Sequence, residues 1–202
     1  MYKIPAQNFP IIEEWVAPGS RVLDLGCGDG SLLDTLITRK KVDGIGVEIS
    51  HEMILQCIQK GICVYQADID KDLSEWADSS FDYVILNSTL QVITRPYSVI
   101  NEMLRVGDFA IISISNFGYI RNRIRVLSQG KVSSRIRLSE SWHDTPVLRF
   151  VSLKEFRSSL KEIGVEIIDA RYFFPMNMTT RTPGPAYNLL AREGIFKLRR
   201  IQ

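Results

Sequence analysis

Asp24, Gly26, Gly28, Gly30 and Glu48 are the residues whose types and spacing point most directly to chemistry. Val22-Leu-Asp-Leu-Gly-Cys-Gly-Asp-Gly30 reads as a buried strand entering a glycine-rich turn, with a helix opening behind it over Ser31 to Lys41. Strand, tight turn and helix N-terminus together make a cradle for part of a nucleotide-like ligand. The spacing is G-x-G-x-G, not the G-x-G-x-x-G of dinucleotide sites. Asp24, two residues before the first glycine, would repel a pyrophosphate. S-adenosylmethionine has no phosphate and carries a sulfonium and an ammonium. An acid beside the turn suits those cations, while the amides around Gly26, Cys27, Gly28 and Gly30 and the helix dipole suit the methionine carboxylate. Glu48 stands at the end of the next apolar run, where an acid can bind both ribose hydroxyls. The competing reading is a glycine turn that only lets strand and helix pack closely.

The elements that must position these residues follow from pattern. Asn8 to Ala17 reads as an amphipathic helix capped by Asn8, stopped by Pro18-Gly19. Leu32, Leu33, Leu36 and Ile37 form one stripe of the helix behind the turn. Val42 to Glu48 is a second strand, and Ser50 caps a helix that runs to Lys60 and stops at Gly61. Ile62 to Ala67, Phe81 to Leu86 and Asp108 to Ile114 are the third to fifth strands; Asp70 to Ser80 is a turn or short helix, and Pro96 to Arg105 a helix. Alternating strands and helices predict an α/β, doubly wound, mostly parallel sheet. Ligands bind such sheets beyond the carboxyl ends of the strands. Asp24, Glu48, Asp68 and Asn87 all lie at or just past strand ends, and Leu90 follows closely. Asp68 is a candidate acceptor for an adenine amino group, with Ile49 and Ile69 sandwiching the ring. Alternatively Asp68 caps the segment after it, and the isoleucines are core.

The totals narrow the class. A chain of 202 residues with 45% hydrophobic and 24% charged residues can form one substantial domain, here 1–202. The net charge of +2 gives no case for nucleic acid or membrane. No apolar run reaches a membrane span, and the N-terminus lacks a signal-peptide core. Three cysteines without metal or C-x-x-C spacing, and two histidines, fit a reducing cytoplasm and no metal site.

The second part is less regular. Residues 117–150 hold a local excess of +5 against −3 for the remainder, with Arg121, Arg123, Arg125, Lys131, Arg135, Arg137 and Arg149 set against only Glu140 and Asp144. This basic segment covers the open end of the site or faces a partner; a solvated helix face is the competing reading. Tyr119, Arg121, Arg123, Trp142, His143 and Asp144 are the candidates for substrate or partner contact. Ser152-Leu-Lys-Glu155 is a capping box, opening a helix that stops at Gly164. Val165 to Phe173 is a sixth strand, Pro175 to Pro185 a loop, Ala186 to Ala191 a seventh, antiparallel strand, and Lys197, Arg199 and Arg200 a basic tail.

R-V-L-D-L-G-C-G-D-G, G-V-E-I, Q-A-D-I-D and S-F-D-Y-V-I-L resemble a class I S-adenosylmethionine-dependent methyltransferase. L-N-S-T-L-Q-V (Leu86 to Val92), N-E-M-L-R-V-G (Asn101 to Gly107), S-N-F-G-Y-I-R-N-R (Ser115 to Arg123) and W-H-D-T-P (Trp142 to Pro146) resemble, more specifically, the methionine biosynthesis protein MetW family. The family usually reads S-Q-T-L-Q at Asn87 to Gln91, tyrosine at His143, and asparagine and histidine at Val147 and Arg149. The resemblance implies a methyltransferase-like fold of seven strands with the last antiparallel. It also implies S-adenosylmethionine or S-adenosylhomocysteine as ligand and homoserine O-acyltransferase as partner.

Acyl transfer by this chain alone is excluded on chemistry, since it has no G-x-S-x-G elbow and neither His51 nor His143 has a nucleophile to serve. Two functions stand: a binding partner that tunes the acyltransferase, or a methyltransferase for a small, carboxylate-bearing molecule. Asn87-Ser-Thr-Leu replaces the N-P-P-Y of base and amide N-methylation, and no catalytic residue is assigned. Nucleic-acid binding would rest on the arginine cluster alone, without aromatic interleaving.

Overall fold

The computed structural model describes residues 6–130, 149–181 and 184–201. A helix α1 (Phe9–Trp15) leads into β1 (Arg21–Leu25), α2 (Ser31–Lys40), β2 (Asp43–Glu48), α3 (His51–Gln59) and β3 (Cys63–Gln66). Then come β4 (Phe81–Asn87), α4 (Pro96–Val106), β5 (Gly107–Ser115) and α5 (Ile120–Gln129). The last third is α6 (Leu153–Glu162), β6 (Val165–Phe173), β7 (Thr179–Thr180), α7 (Tyr187–Leu190) and β8 (Glu193–Arg200). One sheet carries all the strands in the order β3-β2-β1-β4-β5-β8-β6-β7. β1 to β5 pair in parallel, and β8 runs antiparallel to both β5 and β6.

The strands alternate their side chains between two cores. Leu23, Leu25, Val84, Leu86 and Ile112 face one, covered by Ile100 and Met103 of α4 and Phe156 and Leu160 of α6. Val22, Ile85, Ile111 and Ile195 face the other, covered by Ile12 of α1, Leu32, Leu33 and Leu36 of α2, and Cys57 of α3. Burial on both faces accounts for the almost unbroken apolar run of β4. Gly46 on β2 is required by this packing: a Cβ there would lie 2.6 Å from Cys27 Sγ.

The α/β class and the antiparallel strand agree with the sequence, but the end of the chain differs from expectation. Ala186 to Ala191 is not a strand; most of it is α7. The antiparallel strand is Glu193–Arg200, so Lys197, Arg199 and Arg200 belong to it and not to a tail. Gly194, Ile195, Phe196 and Leu198 are the buried part of β8, and the interspersed charges hid the pattern. Lys197 is tolerated because its ammonium lies 4.3 Å from the Phe109 ring centroid and 5.0 Å from that of Tyr83. The two-residue β7 adds an eighth strand at the edge, within the stretch expected to be loop.

Two expected caps are also absent. Asn8 makes no cap hydrogen bond to α1, because its side chain is buried among polar groups of the sheet. Ser50 makes none to α3; Glu48 Oε1 accepts the Ser50 N–H instead, at 2.9 Å. Ser152 does cap α6, its Oγ accepting from Glu155 N at 3.2 Å. Ser152→Ala should therefore lower stability by about 1 kcal/mol, read as a lower urea midpoint at unchanged slope.

Candidate adenosyl-ligand site

The cradle is held by its own backbone. Gly26 N and Cys27 N both donate to Val47 O, at 2.8 and 3.1 Å, and Gly30 N donates to Cys27 O at 3.1 Å. Gly28 N donates to Glu48 Oε2 at 2.9 Å. These four amides thus donate inside the protein. Gly26, Gly28 and Gly30 all take positive φ, between 58° and 75°, which glycine permits without strain.

Glu48 ties the turn to the next helix. Its Oε2 holds Gly28, while Oε1 accepts from both Ile49 N and Ser50 N at 2.9 Å. This carboxylate holds the backbone just before α3 and ties the turn after β1 to the end of β2.

Asp24 is 2% exposed and accepts no hydrogen bond from the described residues. Burial first, and then the nearby Glu48 charge, push its carboxyl up to about 7. A buried acid without a partner is a place where a cation gains most. Ile49, next to Glu48 in the chain, leaves 65% of its surface exposed, which offers an apolar face to a ring. These features fit a cationic adenosyl ligand of the methionine type.

A row of polar residues continues across the sheet. Glu48 lies two residues after Gly46, Asn87 two after Ile85, Ser113 two after Ile111 and Glu193 two before Ile195. By strand alternation all stand on the face that Asp24 shares with Val22, at the carboxyl ends of the parallel strands. Asn87 Oδ1 accepts from Ser113 Oγ at 2.7 Å and from Asn8 Nδ2 at 2.8 Å. Asn8 Nδ2 also donates to Glu193 Oε1 at 2.6 Å, and Gln7 Nε2 donates to Glu193 Oε2. Burial pushes the Glu193 carboxyl up against these bonds. Asn8 Oδ1 and Asn87 Nδ2 are buried without partners, at a cost of about 1–3 kcal/mol each.

The other candidates fall into different settings. Cys27 contributes backbone to the cradle; its thiol is buried 3.9 Å from Cys57 Sγ, and burial raises its pKa. Asp68 Oδ1 accepts from Asp70 N at 3.0 Å and Oδ2 pairs with Lys71 at 2.7 Å. The Lys71 bond, then the Asp70 amide, hold its pKa below the ordinary value. This is the turn-capping role weighed for it. Ile69 packs half-buried against the α4 core, and Leu90 is buried in that core, so neither resembles the open Ile49. Tyr119 is the residue before α5, Arg121 is exposed, and Arg123 Nε donates to Gly118 O at 2.6 Å. Trp142, His143 and Asp144 lie outside the described residues.

The sequence reading missed Asp29, Lys60 and Thr89. Lys60 Nζ reaches Asp29 O, Asp29 Oδ2 and Ser31 Oγ at 2.7, 2.9 and 3.0 Å, bringing a cation to the N-terminus of α2. Burial acts to raise the Asp29 pKa, but the Ser31 and Lys60 bonds prevail and lower it. Thr89 packs on the turn: a Cβ at Gly26 would lie 2.8 Å from its Oγ1. The Asp29–Ser31 pair, an Asx residue just before a helix, was readable; the contacts of Lys60 and Thr89 need the tertiary fold.

Comparisons with known proteins agree with this geometry. A family model described as methionine biosynthesis protein MetW matches residues 6–198. A bifunctional methionine biosynthesis protein MetXA/MetW of Rhodopirellula baltica is 37% identical over 179 residues, covering 84% of this chain and 29% of that protein. A 27-O-demethylrifamycin SV methyltransferase of Amycolatopsis mediterranei is 27% identical, covering 73% of this chain and 54% of the relative. The chain thus spans less than two thirds of the length of either. Among solved structures, a SAM-dependent methyltransferase of Thermotoga maritima, described as a possible histamine N-methyltransferase, superposes with a TM-score of 0.69. It is 16% identical and covers 96% of this chain and 88% of its own.

The pH dependence of ligand binding follows from Asp24. The free carboxyl is neutral below about 7, so binding the adenosylmethionine cation must remove its proton there. Affinity measured by calorimetry should be flat above pH 7 and fall by up to about tenfold per pH unit below it. Asp24→Asn should flatten the profile at weak affinity. The free protein carries the opposite sign. The stability associated with Asp24 is fully present below 3.8 and is lost as pH rises through about 7, so Asp24→Asn should raise the melting temperature at pH 8. A wild-type affinity that does not change between pH 6 and 8 would sink the assignment.

Proposed function

The chain belongs to the family of the methionine biosynthesis protein MetW, and from that membership we propose that it is a ligand-binding partner of homoserine O-acyltransferase. In this reading residues 1–202 form one methyltransferase-like domain in the cytoplasm. S-adenosylmethionine or S-adenosylhomocysteine occupies the Asp24–Glu48 cradle, and the complex supports or regulates acylation of homoserine. The single observation that carries the reading is the Rhodopirellula relative, whose name joins MetXA and MetW in one polypeptide. We take the MetXA part as the acyltransferase. A fusion holds two partners at high effective concentration, which serves proteins that act together.

The chemistry of the chain agrees with a supporting role. It has no G-x-S-x-G elbow, and His51 is an exposed residue at the start of α3. The ligand supplies a sulfonium when bound; Asp24 would meet that cation and Glu48 the ribose, while the glycine turn permits close approach. If the end product binds this cradle and also favours one state of the complex, the two events share a coupling free energy, and each ligand changes the affinity for the other by the same factor.

A second reading, methyl transfer to a small carboxylate-bearing molecule, is favoured by the arginines of α5 and by the methyltransferase relative. Aligned transfer from a sulfonium needs no base when the acceptor is already charged.

The test mixes purified chain with homoserine O-acyltransferase of the same organism. Co-elution and a change in acyl-transfer rate on mixing are expected, with the change modulated by S-adenosylhomocysteine. Separate elution with an unchanged rate would overturn the first reading, and radiolabel transfer to an acceptor metabolite would establish the second.

A further inference from the structure

A groove of about 590 Å³ runs between α4 and α6, away from the cradle's own face of the sheet. Leu90, Tyr97, Ile100, Phe150 and Phe156, with Pro96 and Val151, supply its apolar wall. Leu90, Ile100 and Phe156 are buried in the core, whereas Tyr97 and Phe150 keep 48% and 45% of their surface exposed. Half-exposed aromatics over a buried apolar floor are the composition of a protein-contact centre. A metabolite pocket would instead present converging polar groups. Here Gln91 Nε2 is spent on Ser115 O at 3.1 Å and Arg149 Nη2 on Thr94 O at 2.5 Å, while Glu155 and Ser159 of α6 add two polar side chains along one wall.

The groove continues into a basic element. The Phe117 ring packs tilted against Phe150 with centroids 4.8 Å apart, and its N–H donates to Val151 O at 3.0 Å. Phe117 leads directly into α5, which carries Arg121, Arg123 and Arg125, no acidic residue and no buried residue. Leu127 on the same helix is 90% exposed. Among the described residues this ten-residue helix buries none of its side chains; Arg123 is tied to Gly118 O, while Arg121 and Leu127 stand exposed.

We propose that the α4–α6 groove and the adjoining α5 face dock homoserine O-acyltransferase, through an apolar protrusion with an acidic rim on that enzyme. The proposal rests on the reading given under Proposed function and adds the surface to it. Charge complementarity selects an acidic-rimmed partner, and the fused relative selects the acyltransferase over a second copy of this chain. The groove also touches the cradle through one turn. Leu90 and Gln91 line the groove, while Thr89 beside them packs on Gly26. Arg149 N donates to Gln91 O at 3.1 Å, so the wall and this turn are joined by backbone.

The test compares Tyr97→Asp, Phe150→Asp and, as control on the opposite side, Ile58→Asp on α3. Dissociation constants with the acyltransferase of the same organism are measured by calorimetry, with melting curves and S-adenosylhomocysteine titration run on every variant. Expected are at least about tenfold weaker binding for each groove variant and less than twofold for the control, at unchanged melting and ligand affinity. Raising salt should slow association, as an arginine-rich face requires. If the wild type binds and both groove variants bind as well as it does, the surface is wrong and the function survives. If the wild type does not bind, the function falls and the surface with it. A groove variant that abolishes self-association but not acyltransferase binding assigns the groove to a second copy and overturns the proposal.

Discussion

Asp24 and Glu48 end adjacent parallel strands on one face of the sheet, and their mutual repulsion is the constraint on which the site depends. The protein relieves it unequally. Glu48 is given three backbone amides, from Gly28, Ile49 and Ser50. Asp24 is given none among the described residues and is buried. One carboxylate therefore becomes a structural tie and the other a group whose charge is costly until a cation arrives. The free site stores the electrostatic preference that a sulfonium and an ammonium would satisfy. A neutral ligand would leave that preference unmet.

Holding two acids so close requires the elements around them to come close too. Gly26, Gly28 and Gly30 turn the chain through left-handed conformations within a few residues. Gly46 lets the Cys27 side chain fill the space beside β2. On the far side, Asn8 reaches from the start of α1 to Asn87 and Glu193, so the N-terminal segment is pinned to the ends of β4 and β8 by buried polar groups. A network of this kind specifies one arrangement strongly while leaving two polar atoms unsatisfied. The order of strands thus follows through to the site: β8 must lie next to β5 for Glu193 to complete the row.

Most of the sheet was legible, and the reasons differ by element. β4 has an apolar run uninterrupted enough to read directly, β1 runs into the glycine turn, and β6, despite Glu166, Asp169 and Arg171, matches its expected bounds of Val165 to Phe173. β8 was not legible, because a central strand is expected to be apolar and this one carries Lys197 over two rings. The apolar residues before it, Tyr187 to Leu190, looked more strand-like but form a helical turn. Asn8 failed for a similar reason. A polar residue before an apolar run reads as a helix cap, and only the tertiary fold shows that sheet carboxylates and amides compete for it. In the site, Asp24 and Glu48 could be placed because strand ends are predictable. The occupation of the turn amides could not, since their acceptors, Val47 O and Glu48, come from another strand.

The alternation of strand side chains carries a further consequence for regulation. Cradle and groove lie toward opposite faces of the sheet, so a ligand in the cradle does not fill the groove. They can influence each other only through an element that reaches both, and the turn after β4 is such an element. Gly26 has no Cβ because Thr89 fills that volume, and Leu90 and Gln91 are fixed to the core and to Ser115 immediately beyond. Close packing transmits displacement poorly as a gradual deformation and better as a choice between two packings. A ligand that changes the position of Gly26 must therefore either be accommodated by Thr89 alone or shift the whole turn. In the second case the groove changes shape with ligand occupancy, and the differential affinity of the two turn positions sets the size of the coupling.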